Sequence, residues 1–374
     1  MRPNAIKKLL LKVYRTSRKS VLLLGPPGIG KSTVVREVAM ELARSMGKEF
    51  IDYNDTVGHK ILENPKKYFI FHDLRLTEVE PSDLIGIPRD VDESVVYKPL
   101  LWAKVLNVAD GILFLDEITN VERDDVKAIS YKLLLDRKAG YIPFGKGVMV
   151  VAAGNRPEES SIARPLAAPQ MNRVIKVDVD APTVDEWAEW MEKNKPNYCK
   201  EILAYLMMFK EDLLKLPKDP EVLENFPTPR SWTHLAETLT DDYRDIYTPD
   251  EMYELAKGSV GVEVAPKVQK FLTSRIPSIN ELIERPEIFA SLNIEGKYVA
   301  TVVLGRWLQE HKRSIGKARK LIETIADVSE ELIVLLIKSI IKGRYEITME
   351  MYKMSDKVRE VMDKLSDLML KYEE

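Results

Sequence analysis

A short apolar run, Val21–Leu24, leads directly into Gly25-Pro26-Pro27-Gly28-Ile29-Gly30-Lys31-Ser32, and a helical pattern begins at Lys31. The spacing is G-x-x-x-x-G-K-[ST], set between a strand-like and a helix-like segment. Glycines at these positions let successive backbone N–H groups turn inward around phosphate oxygens. The start of the helix adds its partial positive charge. Lys31 is spaced to reach the β- and γ-phosphates of a nucleotide, and the Ser32 hydroxyl to ligate Mg²⁺. The candidate phosphate-binding set is therefore Gly25, Pro26, Pro27, Gly28, Ile29, Gly30, Lys31, Ser32 and Thr33. A ligand-free Gly-Pro turn is the competing reading, and the strand–turn–helix context argues against it.

A second apolar run, Ile112–Leu115, ends in Asp116-Glu117. A strand that delivers two carboxylates to the same end of a sheet supplies what a metal–triphosphate site needs. Asp116 would hold the metal, directly or through water, and Glu117 would act as general base on the attacking water. Alone, the pair reads equally well as the start of a loop or a cap for the next helix; the phosphate loop upstream decides between the two.

Further strand-like segments at Tyr68–Leu76, Val148–Ala153 and Val174–Val179 alternate with helical patterns at Lys31–Met46, Leu100–Val108 and Val121–Arg137. Continuous apolar runs interleaved with helices predict an α/β fold with a parallel sheet covered on both faces. After Pro182 the β runs stop and helical patterns continue to the end, including a segment at Ile347–Tyr372 with an apolar stripe from Val358 to Tyr372. The expected organisation is an α/β nucleotide-binding domain over 1–180, an α-helical lid over 181–276 and a helical C-terminal extension over 277–374.

Composition excludes several classes. With 45% apolar residues and a formal charge of −3, the chain of 374 residues is neither disordered nor a generally basic phosphate-backbone binder. Nucleic acid is not the expected partner. One cysteine, Cys199, and four scattered histidines offer no zinc-ligand spacing. The lone cysteine fits a reducing, cytoplasmic setting. No apolar run approaches the ~18 residues of a membrane span. His72-Asp73 finds no nucleophile to serve and reads as structural. Trp187, Trp190 and Trp232 read as packing residues.

Taken together the motifs resemble those of the AAA+ ATPases, with GPPGIGKS similar to Walker A and ILFLDE to Walker B. Pro81-Ser82-Asp83-Leu84-Ile85-Gly86, Asp116-Glu117-Ile118-Thr119-Asn120 and Ala152-Ala153-Gly154-Asn155-Arg156-Pro157 look like segments of the MoxR group of that superfamily. The likeness covers residues 5–180 and weakens through the helical region. It implies an AAA+ P-loop core with ATP and Mg²⁺ as cofactors. It also implies subunits assembled in a ring, expected to be hexameric, and chaperone-like remodelling of a partner, often a protein with a von Willebrand factor A domain. A nucleic-acid motor or restriction-type NTPase on the same core is the alternative. The phosphate loop does not separate ATP from GTP, but no Asn-Lys-x-Asp guanine box is present: Asn194-Lys195 is followed by Pro196-Asn197.

By the same resemblance Asn155 matches sensor 1, and Arg230, in Thr228-Pro229-Arg230-Ser231, matches sensor 2. Arg173 matches the arginine finger that reaches a neighbour's γ-phosphate, although Asn172 and Val174 depart from the usual Leu-Asp-Arg-Phe; Arg164 is its rival. Pro88–Pro99 and Gly140–Gly147 fit the inserted hairpins of the group, which face the pore or the ring surface. Tyr97 and Tyr141 are pore candidates by position only, with buried packing as the alternative.

Overall fold

The computed structural model describes residues 1–374 except 160–162, 164–170, 218, 220–223, 241–242, 275–276, 341–343 and 372–374. The chain forms two compact units: residues 1–182 with 216–222, and residues 183–215 with 223–374.

The first unit opens with helix α1 (Pro3–Thr16), whose buried Ile6, Leu10, Val13 and Tyr14 recur at helical spacing. Strand β1 (Val21–Leu24) is buried at every position and passes through the phosphate loop into α2 (Lys31–Ser45). There follow β2 (Glu49–Asp52), α3 (Asp55–Glu63), β3 (Tyr68–Arg75) and the short α4 (Ser82–Ile85). A hairpin of β4 (Ile87–Val91) and β5 (Ser94–Lys98) comes next, then α5 (Leu101–Val108), β6 (Asp110–Asp116) and α6 (Asp124–Asp136). A small hairpin, β7 (Lys138–Ala139) and β8 (Ile142–Pro143), precedes β9 (Val148–Gly154) and β10 (Ile175–Asp178).

Six strands make one parallel sheet in the order β10-β1-β9-β6-β3-β2. The fully apolar β1 and β9 lie in its middle, as burial on both faces requires. The edge strand β2, Glu-Phe-Ile-Asp, carries charged ends and no burial periodicity, so its sequence gives no strand signal. Because β9 is inserted between β1 and β6, register sets Leu24 beside Gly154 and Leu115 beside Ala152. The C-terminal ends of β1, β9 and β6 thus open onto one edge, where ligands of open α/β sheets bind.

Pro88–Pro99 does form a hairpin, and every residue of β4 and β5 is exposed. Tyr97 and Tyr141 are 40% and 52% exposed rather than buried. The Tyr141 hydroxyl donates to the Tyr97 carbonyl and so ties the two hairpins together.

The second unit is helical throughout its described residues. Its core runs from Val184 to Val361. Helices Val184–Asn194, Pro229–Thr238 and Pro249–Val260 each begin at a threonine whose hydroxyl accepts from the third residue's N–H, with a reciprocal bond back. Trp187 and Trp232 are buried there and Trp190 packs against the same core. The expected continuous helix over Ile347–Tyr372 is instead two, Arg344–Met354 and Asp356–Lys371, broken at Ser355. In the stripe on the second of these, Val358 and Val361 are buried; the side chains of Leu365, Leu368 and Met369, and Tyr372, lie outside the described residues.

His72 on β3 is structural, as expected. Its ring sits between Tyr53 and Trp102, and neither nitrogen has a hydrogen-bond partner among the described residues. Burial lowers its pKa to about 4. The unfolded chain, with a histidine near 6.5, then binds the extra proton first, so stability is complete above pH ~6.5 and is lost as pH falls toward 4. His72→Phe should remove this slope: its thermal midpoint should fall less than the wild type's between pH 7 and pH 4.5 in buffered melting curves.

Candidate functional site

The phosphate loop turns where glycine is needed. Gly28 and Gly30 have φ of 72° and 93°, a left-handed backbone that side chains resist. Gly30 caps the N-terminus of α2 without a side-chain bond, at the helix end whose partial positive charge favours an anionic ligand. Gly25 is required for another reason: a Cβ there would meet the Val179 carbonyl oxygen at 2.4 Å. Ile29, 2% exposed, is an apolar anchor under the loop. Pro26, Pro27 and Thr33 fall within the loop and the first turn of α2.

Lys31 Nζ donates to the Gly25 carbonyl at 2.5 Å, the Pro26 carbonyl at 2.8 Å and Asn155 Oδ1 at 3.2 Å. It therefore sits between the loop from β1 and the end of β9. The Ser32 hydroxyl donates to Asp116 Oδ2 at 2.9 Å. The other Asp116 oxygen accepts from the Glu117 N–H at 3.0 Å. Five residues predicted from separate motifs, Lys31, Ser32, Asp116, Glu117 and Asn155, are thus gathered at one end of the sheet.

A hydroxyl and a carboxylate already within bonding distance make an all-oxygen donor pair. That suits Mg²⁺, which keeps water and takes one or two protein oxygens together with phosphate oxygens. Among the described residues no three His, Cys, Asp or Glu side chains gather into a metal cluster.

Glu117 adopts φ of 60°, left-handed for a non-glycine residue. Its Oε2 accepts from the Thr77 hydroxyl at 3.0 Å, just beyond β3. Asn155 is fixed from the other side: its N–H donates to Thr119 Oγ1 at 2.8 Å, and Thr119 is 1% exposed. Arg156 staples the following turn, donating to Glu159 at 2.8 Å and to the Val179 carbonyl at 3.2 Å. Asp73, on β3, is exposed as a residue, and partial desolvation of its carboxyl, then repulsion from Asp116, push its pKa up to about 6.

Sequence reasoning missed Thr77 and Thr119. Thr119 lies in the Asp-Glu-Ile-Thr-Asn run already singled out, so its place after the acid pair was the available signal; Thr77 follows a strand and carries none. Arg173 lies in the first unit, outside this cluster, and donates to Asp136 at 2.8 Å. Arg230 lies in the second unit, exposed in the first turn of helix Pro229–Thr238. A cation there is opposed by the helix dipole. Arg164 is outside the described residues.

Strand order, glycine-built loop and hydroxyl–carboxylate pair define the first unit as a P-loop nucleotide-binding domain. Residues 21–179 match the model of the family described as "ATPase family associated with various cellular activities (AAA)", which makes this unit an AAA domain. No curated protein matches the chain. Among solved structures, a RuvB mutant from Thermotoga maritima aligns at 19% identity over 72% of this chain and 69% of its own, with a TM-score of 0.36. NtrX from Brucella abortus, in complex with ADP, aligns at 17% identity over 98% and 68%, with a TM-score of 0.37. A putative ATPase from Cytophaga hutchinsonii aligns at 12% identity over 95% and 81%, with a TM-score of 0.32. The assignment rests on the sheet order and the family match, not on these alignments.

Thr119→Val removes the acceptor for the Asn155 N–H with little change of shape. Leaving that donor unpaired costs about 1–3 kcal/mol. Urea denaturation should show a loss of stability in that range.

Proposed function

We propose that the protein is an ATP hydrolase of the MoxR-like AAA+ type, working with Mg²⁺ at the subunit interfaces of a ring and using the cycle to remodel a partner protein. The observation that carries the hydrolytic part is the convergence of Lys31, Ser32, Asp116, Glu117 and Asn155 on one sheet edge. The Pro81–Gly86 and Ala152–Pro157 segments, and the exposed hairpin that follows the first, support the finer family reading.

In this reading the loop amides from Gly25 to Thr33 cradle the phosphates, and the Lys31 ammonium leaves its carbonyl partners to neutralise the β- and γ-phosphate oxygens. Ser32 and Asp116 would hold Mg²⁺, which would supply positive charge against the negative charge that develops on the phosphate. Glu117 accepts the proton of the attacking water as the new oxygen–phosphorus bond forms and the bond to the β-phosphate oxygen breaks. The Thr77 hydroxyl restrains the Glu117 carboxylate until it is needed. Asn155, held by Thr119, orients the water. Arg173 and Arg230 would complete the site as arginine finger and sensor 2, Arg173 in the site of a neighbouring copy. Functionally the helical unit divides into a lid over 181–276 and an extension over 277–374. A von Willebrand factor A domain protein is the partner class that the resemblance suggests, and a cytoplasmic, hexameric assembly is the setting.

Two variants test the hydrolytic reading. Lys31→Ala should abolish ATP binding by calorimetry; unchanged affinity would remove the phosphate-loop assignment. Glu117→Gln should keep ATP affinity and lower turnover by about 10²- to 10⁴-fold, the range for loss of a general base. Near-normal turnover would mean that another group takes the proton.

A further inference from the structure

We infer that Asp136 is a positioning residue that presents the Arg173 guanidinium to the nucleotide of a neighbouring copy. The inference rests on the reading of Arg173 as a finger acting in trans.

Arg173 stands on a turn just before β10, without a helix or strand of its own to orient it. Its side chain is 54% exposed, and its guanidinium forms an ion pair with Asp136 at 2.8 Å. Asp136 is the last residue of α6. A carboxylate at a helix C-terminus is opposed by the helix dipole, so its place there does not serve the helix. The dipole pushes the other way: it favours a cation at this point, and Arg173 supplies one.

The end of α6 is also the firm partner of the two. Arg137, left-handed at φ 54°, turns its guanidinium inward, onto the Arg18 carbonyl at 3.0 Å and the Val148 carbonyl. The Ser20 hydroxyl donates to the Leu134 carbonyl at 2.5 Å, and the Phe144 N–H to the Arg137 carbonyl at 2.9 Å. The helix end is therefore bolted to the segments that enter β1 and β9, the two strands that carry the phosphate loop and Asn155. Adjacent residues divide the work: Arg137 faces the core and fixes the helix, while Asp136 faces outward and fixes Arg173. The ion pair borders a surface cavity of about 390 Å³ on α6, lined also by Asp124, Lys127, Tyr131 and Lys132.

The test is steady-state ATPase rate per subunit against protein concentration, on the full chain, for wild type, Arg173→Ala, Asp136→Ala, Asp136→Glu and the double alanine variant. Arg173→Ala should collapse turnover. Asp136→Ala should lower kcat about two- to five-fold, the scale of an exposed ion pair, with KM for ATP unchanged. Asp136→Glu should recover most of the loss, and the double variant should be no worse than Arg173→Ala. A wild-type kcat in Asp136→Ala beside a collapsed Arg173→Ala overturns the role of Asp136 alone. A raised kcat would make the pair a latch and overturn it too, as would a further loss from Asp136→Ala in the Arg173→Ala background. An indifferent Arg173→Ala removes the finger reading and this inference with it. Asp136→Asn, which keeps the shape of the side chain, serves if the alanine variant melts early.

Discussion

A hydrogen bond of 2.9 Å between the Ser32 hydroxyl and the Asp116 carboxylate joins residues 84 positions apart in the chain. The site depends on it, and it depends in turn on the sheet. Ser32 is placed by the turn out of β1, Asp116 by the end of β6, and the two strands are not neighbours. Strand β9 must lie between them, fully buried along its length, for the hydroxyl and carboxylate to face across its end. The same insertion brings Asn155 within reach of Lys31. Strand order thus does chemical work: it turns three local motifs into one polar cluster.

Much of this was legible in the sequence because phosphate chemistry constrains backbone as well as side chain. The positive φ at Gly28 and Gly30 can be anticipated from residue type, and so can the strand ending in two acids. The hairpin at Pro88–Pro99 was expected and is present. What was not legible are contacts made by ordinary residues through space. Thr77 and Asp136 carry no spacing signal, because each acts on a residue 37 or more positions away, and Thr119 offered only its place after the acid pair. Edge strand β2 was missed since an edge needs no apolar alternation. The break at Ser355 was missed because neither a glycine nor a proline marks it in the sequence.

The helical unit follows a different logic. Its described helices are mostly short, and caps rather than length define them. Threonine boxes at Thr183, Thr228 and Thr248 each set a helix start to the residue. Inside, Arg306 pairs with the nearly fully buried Glu201, and the Tyr205 hydroxyl donates to the buried Asp212 at 2.6 Å. Buried charges of this kind add little net stability but strongly penalise arrangements in which they lose their partners. The unit's fold is therefore selected by polar matching as well as by its apolar core.

The left-handed backbone at Glu117 has a consequence for how the domain can be altered. A non-glycine residue held there costs on the order of 1–3 kcal/mol, a strain that glycine or asparagine would relieve. On the hydrolytic reading neither replacement can accept a proton. Stabilising selection and catalytic need therefore pull in opposite directions at this one position. Variants of this chain chosen only for thermal robustness would be drawn toward sequences that still bind nucleotide and no longer turn it over.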